Sequence, residues 1–240
     1  MRAEVLFPEV CHLCGDGMNI RYLRQCCPSL EVTETSLQER PAFLDGGVDL
    51  VYLGSATEQG LHRIVAALLP YKDEIARRID EGQLVLVTGN ALDALGEYID
   101  CDDGWRLDGL GLFHTHAEYH MMRRHNSFFL GSFTDGDFQT DVVGFKSLFG
   151  HTYGAELSEP LLTVERGVGR QPGATVEGFR RNNLLVTYLT GPLLVLNPPF
   201  TKWLLRQMGA EDHLAFEDAA MENYRRRVEE FRDPHRDPMY

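Results

Sequence analysis

Residues 83–98 read QLVLVTGNALDALGEY, and this stretch decides the fold. Gln83 to Thr88 is a short, mostly apolar run with strand character, and Ala91 to Tyr98 carries helical spacing. Between them Thr88, Gly89 and Asn90 make a tight strand-to-helix turn. Such a turn lies at the carboxyl end of a parallel strand, where open α/β sheets bind ligands and mount nucleophiles. A plain turn in which Gly89 takes an awkward φ accounts for the same letters, so position alone assigns no role.

Working outward, the same rhythm repeats. AEVLF (3–7) reads as a strand, Asn19 to Cys26 as a helix and LEVTETS (30–36) as a strand. VDLVYLG (48–54) is a buried run that ends in Gly54, and helices are expected at Glu58–Leu69 and Lys72–Glu81. Strands alternating with helices predict a parallel sheet covered by helices. After Cys101 the texture changes to GLGLFHT (109–115), SFFLGSF (127–133), VVGFKSL (142–148) and LLTVERG (161–167), separated by Gly, Asp and Asn. There the sheet is expected to turn partly antiparallel. Leu184–Leu189 adds a further β-like run, and helices are expected at Pro199–Met208 and His213–Phe231. No linker or repeat divides the chain, which reads as a single domain over 1–240 with a tail at 232–240 that frays.

The 240 residues are 43% apolar and 25% charged, an ordinary globular composition that can bury a core without staples. Thirty-six acidic against 23 basic residues leave a formal charge of -13, which argues against counterion-driven nucleic-acid binding. The most apolar stretch, Asn183 to Phe200, is interrupted by Gly191, Pro192, Pro198 and Pro199, so no membrane span is expected. The opening MRAEVLFPEV lacks a signal-type apolar region. Five cysteines, an odd number, fit free thiols in a reducing compartment, with the cytoplasm as the expected location.

Six segments in order resemble the class I glutamine amidotransferase family, in the cobyric acid synthase-like branch that includes the glutaminase subunit of lipid II isoglutaminyl synthase. They are LFPEVCHLCGDGMNI (6–20), VYLGSATEQ (51–59), VLVTGNALDALGEYI (85–99), GLGLFHT (109–115), VVGFKSLFGHTYG (142–154) and VTYLTGPLLVLNPPFTKWLL (186–205). The resemblance implies a three-layer α/β/α, flavodoxin-like fold with a mostly parallel central sheet. Active members carry a Cys at the nucleophile turn and a His in the late Thr-Tyr-x-His-Gly-Pro segment. The residues matched here are Thr88 and Thr190. A threonine hydroxyl without a positioned base is a poor nucleophile at neutral pH.

The resemblance therefore implies the fold without glutaminase activity, in a binding or scaffold subunit. Its alternative is an active amidotransferase or amide hydrolase with relocated catalytic residues, supplying ammonia to a ligase in cell-wall or cobalamin metabolism. The implied partner is a Mur ligase-like or other ATP-dependent synthetase. The implied pocket comprises Gly54, Ser55, Glu58, Gln59, Gly89 and Asn90, whose backbone N–H groups suit glutamine or a small amide or carboxylate. No cofactor is implied.

Other chemistry-bearing residues are weaker candidates. Cys101 lies among Asp100, Asp102 and Asp103, which disfavour a thiolate. Cys11 and Cys14 form C-x-x-C near His12, Cys26 and Cys27, which suits a metal or redox site only if they converge, and buried thiols are common as small apolar residues. His114, His116, His120 and His125 have tempting spacing but read as solvated histidines, so no metal is assigned. Asp16 and Asn19 read as turn and N-cap residues, with a site role only through the resemblance.

Overall fold

The computed structural model describes residues 1–154 and 159–240. In chain order the elements are β1 (Arg2–Leu6), α1 (Gly17–Cys26), β2 (Glu31–Thr35), β3 (Leu50–Leu53), α2 (Glu58–Leu68), α3 (Lys72–Asp80) and β4 (Val85–Thr88). There follow β5 (Tyr98–Cys101), β6 (Arg106–Asp108), β7 (His116–Tyr119), β8 (His125–Asp135), β9 (Phe138–Leu148), β10 (Gly150–Tyr153) and β11 (Leu162–Arg166). The chain closes with β12 (Val176–Glu177), β13 (Phe179–Arg181), β14 (Leu184–Thr187), α4 (Leu193–Leu196), α5 (Pro198–Gln207) and α6 (Glu217–Arg232).

The central sheet has the order β13-β14-β4-β3-β1-β2 and is parallel except at β13, which joins β14 antiparallel. Side chains alternate across it as the strand period requires. Val85 and Val87 face a core shared with Leu61 and Ile64 of α2 and Ile75 and Ile79 of α3. Leu84 and Leu86 face the opposite core, with Ile20 and Leu23 of α1 and Phe200 and Leu204 of α5. Both faces are thus dry, and each fully buried aliphatic side chain stabilises the fold by roughly 1.5–3 kcal/mol.

The antiparallel texture after Cys101 does not extend the central sheet. It builds two further four-stranded sheets, β10-β7-β5-β6 and β12-β11-β8-β9. Three local expectations need correction. GLGLFHT is a connection rather than a strand, because the amides of Leu110, Gly111 and Leu112 donate to the carbonyls of Ala94, Gly96 and Leu95. The helix expected at Ala91–Tyr98 is a 3-10 run over Gly89–Leu95; it stops at Gly96, and Tyr98 opens β5. The tail expected to fray is tied down. Phe128 N–H donates to the Pro238 carbonyl at 3.0 Å, Tyr240 N–H donates to the Asn126 carbonyl at 3.2 Å, and the Arg166 guanidinium donates to the carbonyls of Asp233 and Arg236. The segment thereby covers an edge of β8 that β11 leaves unpaired.

No described helix is long and apolar enough to cross a membrane.

Candidate functional site

A cleft of about 170 Å³ opens at the carboxyl ends of β3, β4 and β14. Its lining comes from the loop after β1 (Leu13, Cys14), the turn into α2 (Ser55 to Glu58), the start of the 3-10 run (Gly89, Asn90, Asp93), and the β9–β10 corner (Ser147 to Gly150). Tyr119, Arg124, Tyr188 and Thr190 complete it.

The tip of the strand-to-helix turn is Gly89, not Thr88. Gly89 has φ +65, the left-handed backbone that a strained nucleophile turn uses, and it lines the cleft. It carries no side chain to react. A Cβ built there would overlap the Cβ of Ser55 and come within 3.2 Å of the Ser55 Cα. Thr88, one residue earlier, is the last residue of β4 and points into the protein. Its hydroxyl donates to Asp16 Oδ2 at 2.8 Å and lies 2.8 Å from the Tyr52 hydroxyl. The residue matched to the nucleophile therefore does not present its side chain to the cleft: a strand residue followed by the tip of the turn points to the opposite side.

Thr190 does line the cleft, three residues beyond β14, in a bridge to Phe145 of β9. Its backbone N–H donates to the Phe145 carbonyl at 3.0 Å, and its hydroxyl donates to the same oxygen at 3.1 Å. A hydroxyl, unlike an imidazole, is far too weak a base to take a proton from a nucleophile near neutral pH.

Among the other expected pocket residues, Ser55, Glu58, Gly89 and Asn90 line the cleft, whereas Gly54 and Gln59 do not. Gly54 is packed behind it, where a Cβ would meet the Cys11 carbonyl at 2.9 Å. Two backbone donors beside the cleft are already engaged. Ser55 N–H donates to Asp16 Oδ2 at 2.8 Å, and Ala56 N–H donates to Asn90 Oδ1 at 3.0 Å. Asn90 Nδ2 returns a bond to the Ala56 carbonyl at 2.8 Å, which locks the two turns together.

Asp16 stands at the N-cap position of α1, but its side chain caps no helix N–H. Its carboxyl ties β3 and β4 together from below the cleft, and burial pushes its pKa up. Asn19, inside α1, donates to the Tyr52 hydroxyl at 2.8 Å and accepts from Leu194 N–H at 2.8 Å.

Asp93, Tyr119, Tyr188 and Arg124 are not singled out by the sequence, and Cys14 only as half of a C-x-x-C pair. Asp93 is 3% exposed and accepts from the hydroxyls of Tyr188 (2.5 Å), Tyr119 (2.7 Å) and Thr152 (3.0 Å). Burial pushes its carboxyl up to about 6. The one available signal was an acid in the otherwise apolar ALDAL run. The Cys14 thiol meets the Thr190 and Ser55 hydroxyls, and burial followed by the Asp16 charge pushes its pKa up. Arg124 lies over the Phe149 ring at 4.5 Å.

The remaining candidates do not converge. Among the described residues no group of three or more His, Cys, Asp and Glu could hold a metal ion, and all five cysteines are free. His114 pairs with Glu97, His120 with Asp102, His116 stacks with Tyr98 and Tyr153, and His125 packs on His151. Cys101 is pushed up to about 11, first by burial and then by Asp103.

No family profile matches the chain. It is similar to the protein named lipid II isoglutaminyl synthase (glutamine-hydrolyzing) subunit GatD of Staphylococcus aureus, at 27% identity over 214 residues covering 88% of this chain and 86% of that one. It is similar to the Streptococcus pneumoniae protein of the same name, at 25% identity over 196 residues covering 80% and 74%. In fold it resembles the Thermotoga maritima PurLQS structure, with a TM-score of 0.56 at 13% identity over 95% of this chain and 98% of that one. It also resembles a glutamine amidotransferase structure, with a TM-score of 0.53 at 15% identity over 86% and 99%.

Proposed function

We propose that this chain, which is glutamine amidotransferase-like in fold and in sequence, serves as the amidotransferase-type subunit of a cell-wall amidating ligase and does not itself hydrolyse glutamine. The observation that carries the reading is Gly89: the tip of the nucleophile turn has no side chain, and Ser55 occupies the room one would need.

Hydrolysis of a side-chain amide by this fold requires a thiolate, a base to form it, and donors for the oxyanion. The residues matched to the nucleophile and the base do not supply them, and two amides beside the cleft are engaged. Thr88 faces Asp16, Thr190 gives its proton to a carbonyl, and the Ser55 and Ala56 amides are bonded internally. Cys14 supplies a thiol, but partial burial of the thiol and the Asp16 charge push its pKa up, and among the described residues no imidazole lines the cleft.

What persists is a small-molecule cleft. Arg124, which forms no ion pair among the described residues, and Glu58 place both signs of charge on its walls, as an amino-acid-sized ligand such as glutamine requires. A Mur ligase-like, ATP-dependent partner in the cytoplasm suits this role, since both curated relatives are named as subunits of a lipid II synthase.

The test is ammonia release from glutamine with the native partner present. Wild type is expected to stay below any enzymatic rate. Turnover at about 1 per second or more, abolished by Cys14→Ala, would replace this reading with an active enzyme whose nucleophile has moved.

A further inference from the structure

We propose that the inner end of the cleft is a binding subsite for a protonated amine, with Asp93 as its counter-ion. The inference rests on the cleft being a small-molecule site, and it holds whether or not glutamine is hydrolysed there.

Asp93 sits on the 3-10 run, and its hydroxyl partners arrive from β7 (Tyr119), from β10 (Thr152) and from the residue after β14 (Tyr188). Tyr188 and Thr152 bond Oδ1, and Tyr119 bonds Oδ2. Each tyrosine proton is thereby committed to the carboxylate, so the phenol oxygens present only lone pairs to the cleft. No cation among the described residues pairs with Asp93. The result is a wall of acceptor oxygens carrying one negative charge and no spare donor. A carboxylate or a carbonyl brought there meets only acceptors. A group that brings donors and positive charge, an ammonium ion or a primary ammonium, completes both the hydrogen bonding and the charge.

Arg124 lines the same cleft but lies over the Phe149 ring at 4.5 Å and forms no ion pair with Asp93, so it does not supply that cation. The buried ammonium of Lys146, over the Tyr188 ring, is already bound to Glu177 at 2.5 Å. Glu177 and, on the cleft wall, Glu58 add negative potential around Asp93 and its tyrosines. Burial holds both Tyr119 and Tyr188 well above the usual tyrosine range, so they remain donors at neutral pH. His151, beside Thr152, is held neutral by burial. With Asp93 itself pushed up to about 6, an amine finds its counter-ion formed at pH 7.5 and lost at pH 5.

The experiment is calorimetric titration of the whole chain with ammonium chloride and with ethylamine, against acetamide, glutamine and sodium chloride. At pH 7.5, ammonium or ethylamine is expected to bind at least tenfold more tightly than acetamide. Affinity should fall about tenfold per pH unit below the carboxyl's own pKa, and Asp93→Asn should lose tenfold or more. Binding of ammonium alone identifies a free ion as the ligand; preference for ethylamine identifies an organic amine. Should Asp93→Asn not fold, the Asp93 carboxyl is titrated by carbon NMR in wild type, where saturating amine must lower its midpoint. Acetamide binding as tightly as the amines, an unaffected Asp93→Asn, or an unmoved midpoint overturns the proposal. Glutamine hydrolysis by wild type would overturn the proposed silence and leave this subsite standing.

Discussion

Ser55 and Gly89 exclude one another's side chains: the Ser55 Cβ fills the position that a Cβ on Gly89 would take, and Asn90 clamps the two turns by its pair of bonds to Ala56. Two segments therefore close off the space for a side chain at the tip of this turn, and changing one residue alone does not open it.

Gly89→Ala is expected to destabilise by about 2–4 kcal/mol, combining a left-handed φ with overpacking. Ser55→Gly in the same chain should recover the overpacking share, and urea unfolding of both singles and the double measures the coupling. Additive effects would show that Ser55 does not fill that space. For the same reason a chain carrying Gly89→Cys and Thr190→His needs Ser55→Gly as well before it can be expected to release ammonia from glutamine.

Thr88→Val removes a donor to Asp16 Oδ2 and a partner of Tyr52, both buried. The expected cost is about 1–3 kcal/mol in denaturant unfolding, with ligand affinity of the cleft unchanged. A change in affinity at constant stability would show that Thr88 reaches the ligand after all.

Lys146 and Glu177 form an ion pair buried on both sides, with Glu177 also accepting from the Thr187 hydroxyl at 3.0 Å and Tyr188 N–H at 2.8 Å. Lys146→Met should cost about 3–5 kcal/mol, because it strands a buried carboxylate. Adding Glu177→Gln should return a large part of that loss, as read from a double-mutant cycle.

Acid stability turns on His151. Burial lowers its pKa to about 4, with His125, Lys146 and His120 adding positive charge around it. A depressed folded value means that its contribution is present above the unfolded value of about 6.5 and is lost as pH falls toward 4. Asp93, raised to about 6, acts oppositely and favours the folded state as it protonates. His151→Leu is therefore expected to flatten the loss of stability between pH 6.5 and 4 by on the order of 2–3 kcal/mol, followed by urea unfolding across that range. An unchanged slope would mean that His151 titrates alike in the folded and unfolded states.

The parallel sheet, its helices and the neighbourhood of the site were legible in the sequence. Local spacing carries them: the apolar run to Val87, the βαβ alternation before it and the breaks at Gly and Pro are each written within a dozen residues. Which letter stands at the tip of the turn was not legible, because the sign of φ at Gly89 and the inward aim of Thr88 depend on where β4 ends against β3 and β14. Nor was the identity of the cleft floor. Asp93 finds its hydroxyls 26 residues away at Tyr119 and 95 away at Tyr188, and Ser55 meets Gly89 only once two strands lie side by side. Periodicity determines which face of an element is buried; only the packed chain determines which distant polar groups, shut away from water, must satisfy one another.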